Sequence, residues 1–138
     1  MPEPARLYIL MRTDMDNSMS PGRKMAQASH AANVAQNDLT QEFNGAHPLF
    51  LDWRQEACGF GTAIVLGAKL NDLELVRQFK LIRDRNEEFD CGIVHDPVYM
   101  IADGEVAHEI AVDTCAWVFG SPDNIHVQVM TSHLGLHP

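Results

Sequence analysis

The apolar positions of this chain fall into short unbroken runs separated by stretches with helical spacing. Arg6-Leu-Tyr-Ile-Leu-Met-Arg12 is apolar between two arginines and stops at Thr13-Asp14, which predicts a buried strand. Residues 15–22 gather turn formers and predict a loop. From about Ser20 to Gln36 the period changes. Met25, Ala28, Ala32 and Ala35 recur three and four apart in an alanine-rich stretch, Ser20 offers an N-cap, and Pro21 is tolerated in a first turn. A long helix lying close on a sheet is expected there.

Residues 43–57 follow neither period, and Pro48 with its aromatic neighbours suggests a loop with a short helical turn. Residues 59–67 read as a second strand. Leu73, Val76, Phe79 and Ile82 then repeat at helical spacing, with Asn71 or Asp72 as the cap. Residues 89–95 predict a third strand running out into Asp96-Pro97. Asp103-Gly104 marks a hairpin-like turn, residues 111–119 predict a fourth strand, and Ser121-Pro-Asp-Asn opens a last helix. No repeat, low-complexity segment or linker interrupts the order. Strands alternating with helices predict one α/β domain, a three-layer α/β/α sandwich with a mixed four-stranded sheet.

Composition narrows the class without changing that picture. At 138 residues, 46% hydrophobic and 21% charged, the chain is long and apolar enough to bury a core without staples. No run approaches the ~18 apolar residues of a membrane span, and Met1-Pro-Glu-Pro lacks the layout of a secretory signal, so a cytoplasmic protein is expected. Cys58, Cys91 and Cys115 have no Cys-x-x-Cys spacing and imply neither a disulfide framework nor a zinc knuckle. A net charge of −9 argues against non-specific nucleic-acid binding. Any RNA contact must therefore use local cations: Arg12, Arg23 and Lys24, or Arg77, Lys80, Arg83 and Arg85.

One segment is more specific than the rest. The strand ending Arg12-Thr13-Asp14, the loop, and Gly22-Arg-Lys-Met-Ala-Gln-Ala-Ser-His-Ala-Ala32 resemble the N-terminal signature of the type II (archaeal/eukaryotic-type) peptidyl-tRNA hydrolases. That signature is a strand ending Arg-Ser/Thr-Asp followed by Gly-Lys-x-x-Ala-Gln-x-x-His-Ala at the first helix. The second half fits more loosely, with Asp96-Pro-Val-Tyr99 where the family has Asp-Ala-Gly-x-Thr and Thr114–Gly120 in place of its final strand. Two departures stand out. Arg23 occupies the place of the family's lysine, with Lys24 one position on, and the Gly-x-Thr after the aspartate is missing. Arginine keeps the charge but not the compact ammonium.

The resemblance implies hydrolysis of the ester of peptidyl-tRNA, with no cofactor and no metal, by a homodimer whose partner is peptidyl-tRNA or tRNA. Asp96 would orient or deprotonate a water. Arg23 or Lys24, at a helix start, would stabilise negative charge on the substrate. Thr114 would donate a hydrogen bond to substrate or aspartate, and His30 would hold geometry or shuttle a proton. Arg12, Gln27 and Tyr99 would contact substrate. Each side chain also has a plainer use: Asp96 as the turn starter before Pro97, the two cations as solvated charges, His30 as an ordinary helix histidine, and Thr114 as strand vocabulary. Their joint order is what gives them weight. Two rivals follow from the departures: a family member without hydrolysis that binds tRNA, a nucleotide or a protein, and a hydrolase dependent on cysteine (Cys91 with His95) or on a metal. The remaining histidines supply no His-Glu-x-x-His arrangement for the latter.

Overall fold

Leu7, Ile9 and Met11 project from one side of the first strand, Tyr8 and Leu10 from the other, and all five are buried. A strand apolar on both sides belongs inside a sheet that is covered on both faces. The computed structural model, which describes residues 3–15, 18–41, 49–84 and 87–138, has that architecture. The elements run β1 (Arg6–Arg12), α1 (Pro21–Thr40), α2 (Phe50–Gln55), β2 (Ala63–Ala68), α3 (Leu70–Ile82), β3 (Phe89–Asp103), β4 (Val106–Gly120) and α4 (Ile125–Thr131). The sheet order is β2-β1-β4-β3. β1 and β2 are parallel and the other two pairings antiparallel, so the sheet is mixed.

The two faces carry separate cores. Ala31, Ala35 and Leu39 of α1 join Phe50 and Trp53 of α2 over Leu7, Ile9, Met11, Cys115, Trp117 and Phe119. On the other face Leu73 and Val76 of α3 and Val127 and Met130 of α4 pack on Tyr8, Leu10, Leu66, Cys91, Ala116 and Val118. Alternation along β1 and β4 thus sorts residues between two helical layers, the expected α/β/α sandwich. Among the described residues no helix is long and apolar enough to cross a membrane.

Several boundaries differ from the sequence reading, each for a local reason. Ser20 caps α1 as expected, its hydroxyl accepting the Arg23 N–H at 3.3 Å, but the helix continues past Gln36 to Thr40 because Leu39 is buried. The helical turn expected within 43–57 is α2; positions 43–48 lie outside the described residues. β2 starts at Ala63, not residue 59. Cys58 (φ 61°) and Gly61 (φ 75°) adopt left-handed backbone and hold a 3-10 turn over Ala57–Gly59 instead. The cap of α3 is Lys69. Asp72, at the third helical position, reaches back to accept the Lys69 N–H at 2.8 Å. Ile82 follows the helical period but is 77% exposed, since α3 has by then run past the sheet.

The largest correction concerns β3. It does not end at His95: it runs through Asp96 and Pro97 to Asp103 and turns back as β4, making one long hairpin. Pro97 is accommodated because β3 is an edge strand, where a missing N–H costs no ladder bond. The ladder is irregular at two places. Pairing steps from Val94↔Cys115 to His95↔Asp113, leaving Thr114 as an extra residue in β4. It then steps from Asp96↔Val112 to Tyr99↔Ile110, leaving one extra residue in β3 within Pro97-Val98. Such bulges re-aim side chains. Thr114 consequently faces α1 together with Cys115, while Asp113 turns to the α3 side.

Candidate active site

Gln27 organises the site. It lies on the buried side of α1, about two turns in from the cap, and its side chain bridges two strands. The Thr114 hydroxyl, fully buried on β4, donates to Gln27 Oε1 at 2.7 Å, and Gln27 Nε2 donates to Asp96 Oδ2 at 3.4 Å. The other Asp96 oxygen accepts the Val98 N–H at 2.9 Å, closing a small turn at the β3 bulge. Asp96 is therefore both a turn residue and a site residue: one oxygen fixes the bulge and the other meets the glutamine. It sits inside β3, not on a loop beyond a strand.

Two surface depressions meet at Gln27 and Asp96. The smaller, about 210 Å³, is lined by Arg23, Ala26, Val98, Tyr99 and Met100 besides those two. The larger, about 380 Å³, extends along the β3 edge past His30, Asn33, Val34, Val94, His95 and Pro97. Arg23 is held firmly in the first. Its guanidinium donates to the carbonyls of Ser18, at 3.0 Å, and Met100, and lies 4.9 Å from the centre of the Tyr99 ring. A cation stacked on an aromatic face and bonded to two carbonyls is fixed in direction.

Of the residues expected from sequence, Arg23, Gln27, His30, Tyr99 and Asp96 line these depressions, and Thr114, Lys24 and Arg12 do not. Thr114 is too buried to touch a substrate; it acts through Gln27. Tyr99 is buried, and its hydroxyl donates to Ser18 O at 2.8 Å, so it supports Arg23 from below instead of contacting substrate. Lys24 points elsewhere, with its ammonium 3.2 Å from His137 Nε2 in the C-terminal segment. Arg12 is not at the site. It is buried on the α3 side, paired with Asp14 at 2.7 Å and donating to Asp113 O at 3.1 Å. Burial alone would raise the Asp14 carboxyl, but hydrogen bonds from Arg12 and Leu70 N–H and the guanidinium charge hold it below its usual range.

Asn33 and Val34 were missed by the sequence reading. The signal was present: Gln27, His30 and Val34 stand three and four apart on one stripe of α1. A second polar group was also missed, on the opposite face. His95 Nδ1 lies 2.8 Å from Asp113 Oδ1, and the other Asp113 oxygen accepts from Arg77. Burial pushes the Asp113 carboxyl up, yet the bonds from His95 and Arg77 outweigh it and keep it below the usual carboxylate range.

The cysteine rival loses its nucleophile. Cys91 and Cys115 are buried and burial raises both thiols to about 12, Cys91 further through the charge of Asp90, so neither is a thiolate near neutrality. Among the described residues no group of three or more His, Cys, Asp or Glu side chains is placed to hold a metal ion. The described cations of the second sequence cluster are engaged with carboxylates, Arg77 with Asp113, Lys80 with Asp90 at 3.0 Å and Arg83 with Asp90 at 3.3 Å, while Arg85 lies outside the described residues. Arg77 and Lys80 project from α3 at the β3 edge, where they line a depression with Val34 and Asp38 of α1. Comparison with protein-family models finds no match to this chain, and comparison with curated proteins finds none either.

Proposed function

We propose that this chain hydrolyses the ester joining a peptide to the 3′-terminal ribose of tRNA. One observation carries the reading: Arg23, opening the first helix, and Asp96, far away in sequence on the third strand, line a single depression with Gln27 between them. In this reading Asp96 orients the attacking water, and the Gln27 amide, locked by Thr114, holds Asp96 in place. Water oxygen adds to the ester carbonyl, the acyl–oxygen bond breaks, and the ribose oxygen takes the proton. Arg23 supplies positive charge to the phosphate beside the scissile ester or to the developing oxyanion. With an overall charge of −9, tRNA is gripped locally, by Arg23 and its neighbourhood.

The test is release of labelled peptide from peptidyl-tRNA by the purified chain, with and without chelator; release unaffected by chelator is the expected result. No release at micromolar protein that still binds tRNA would sink hydrolysis. That outcome would leave a second reading, a tRNA-binding module, which draws on the engagement of Arg23 with two carbonyls and Tyr99. A slope of log affinity against log salt near zero would remove tRNA from both readings, since each phosphate contact contributes about −0.7 on a single strand. The family resemblance further carries a cytoplasmic homodimer. Sedimentation showing only monomer at working concentration would remove the dimer.

A further inference from the structure

The two depressions that meet at Asp96 are chemically unlike. Arg23 is the cation of the smaller one. The larger one has no lysine or arginine on its walls; Val34, Val94 and Pro97 form its sides, with the neutral amides of Gln27 and Asn33 and the imidazole of His30. From Asp96 it runs along the edge strand toward Gly92, where a third depression of about 260 Å³ continues past the shared residue Val34 to Leu81 of α3. Val34 and Leu81 are exposed, at 38% and 80%, although neither serves a core. An ester substrate placed across Asp96 has a polyanionic arm and a peptide arm. The third depression also holds Arg77 and Lys80, but carboxylates already neutralise both, Arg77 by Asp113 and Lys80 by Asp38 and Asp90, whereas Arg23 is bonded to carbonyls and a ring; phosphates therefore belong with Arg23.

We infer that the larger depression is the peptide subsite: the nascent chain leaves Asp96 along the β3 edge beside Val34, and the tRNA end lies at Arg23. This assignment rests on the hydrolytic reading and adds to it a direction and a length. From Asp96 back to Gly92 the strand covers four steps, about 13 Å at ~3.3 Å each. The subsite therefore takes about four extended residues, with apolar side chains favoured against Val34, Val94 and Leu81.

The experiment compares kcat/KM for peptidyl-tRNAs carrying one to six residues, in the natural chain and in Val34→Asp, an exposed position where a polar side chain is compatible with the helix. In the natural chain kcat/KM should rise about tenfold between one and four apolar residues and then level off. In Val34→Asp that ratio should fall towards one, with the affinity for deacylated tRNA unchanged. A natural chain that cleaves all lengths equally would overturn the peptide subsite and leave hydrolysis standing. So would Val34→Asp weakening deacylated tRNA while keeping the length ratio, since the arms would then be reversed. A natural chain that cleaves none of the substrates would overturn the hydrolytic reading, and the subsite with it.

Discussion

Arg23 and Lys24 are adjacent on a helix whose residues turn by about 100° each, so only one of them can face the Asp96 cleft. Arg23 does, and Lys24 meets His137 instead. In a steady-state peptide-release assay, Arg23→Ala should lower kcat by ~10²–10³ and Asp96→Asn by ~10²–10⁴. Lys24→Ala should change it by less than about threefold, as for a surface cation with no substrate contact. A larger loss from Lys24 would mean that the cation had been misassigned. Thr114→Val removes the donor to Gln27 Oε1 and leaves a buried acceptor unpaired. A cost of about 1–3 kcal/mol is expected in urea unfolding, with kcat lowered by about tenfold as Gln27 loses its orientation. Asp113 makes a pH prediction. Its folded pKa is depressed, so the stability its charge contributes is complete above the unfolded carboxylate range, ~pH 4, and disappears as pH falls through the lower folded value. Asp113→Asn should therefore be less stable than the natural chain at pH 7, the gap closing in acid; a gap that widens on acidification would contradict the assignment.

Elements with a clean period were legible from the chain alone. β1 was bounded correctly because both faces are apolar and both ends are arginine, and the start of α1 was placed correctly because Ser20, Pro21 and the alanines all favour it. What escaped was the interior of the β3–β4 hairpin. A bulge has no period, and Thr114 and Val98 are ordinary strand residues, so nothing local says which residue of a strand will be left over. The placement of Asp96 at a strand end failed for a related reason: Pro97 reads as a terminator, and only knowledge that β3 is an edge would have allowed the strand to continue. The family resemblance named Gln27, Thr114 and Asp96 together, but the hydrogen bonds running from Thr114 through Gln27 to Asp96 were beyond reach of the sequence, since they depend on that slip. The hairpin also makes an element-level prediction. A Cβ on Gly92 would lie 2.7 Å from Trp117 Nε1, in a fully buried ring that cannot retreat. Gly92→Ala should cost about 1–3 kcal/mol in urea denaturation. A neutral effect would mean that Trp117 has room to move.

At the scale of the whole molecule, burial sorts the cysteines more sharply than the sequence could. Of three thiols, Cys58 is exposed while Cys91 and Cys115 are enclosed on opposite faces of the sheet. Iodoacetamide at pH 8 should modify one thiol in the native chain and all three in denaturant, read by intact mass; fast labelling of a second thiol would show that one core opens readily. The hairpin has a wider consequence. β4 carries one residue too many at Thr114, and β3 carries one too many by Val98, so the two insertions offset each other in length and both strands run for 15 residues. Each is absorbed where it occurs: Thr114 shares the α1 side with Cys115 while Asp113 faces α3, so the outer arm keeps its sides of the sheet. Losing both would leave an uninterrupted ladder with every core side chain on its present side. The surplus pair contributes to the cleft a hydroxyl that seats Gln27 and an N–H that seats Asp96. The chemistry of this molecule is thus a balanced addition to a sheet that is complete without it.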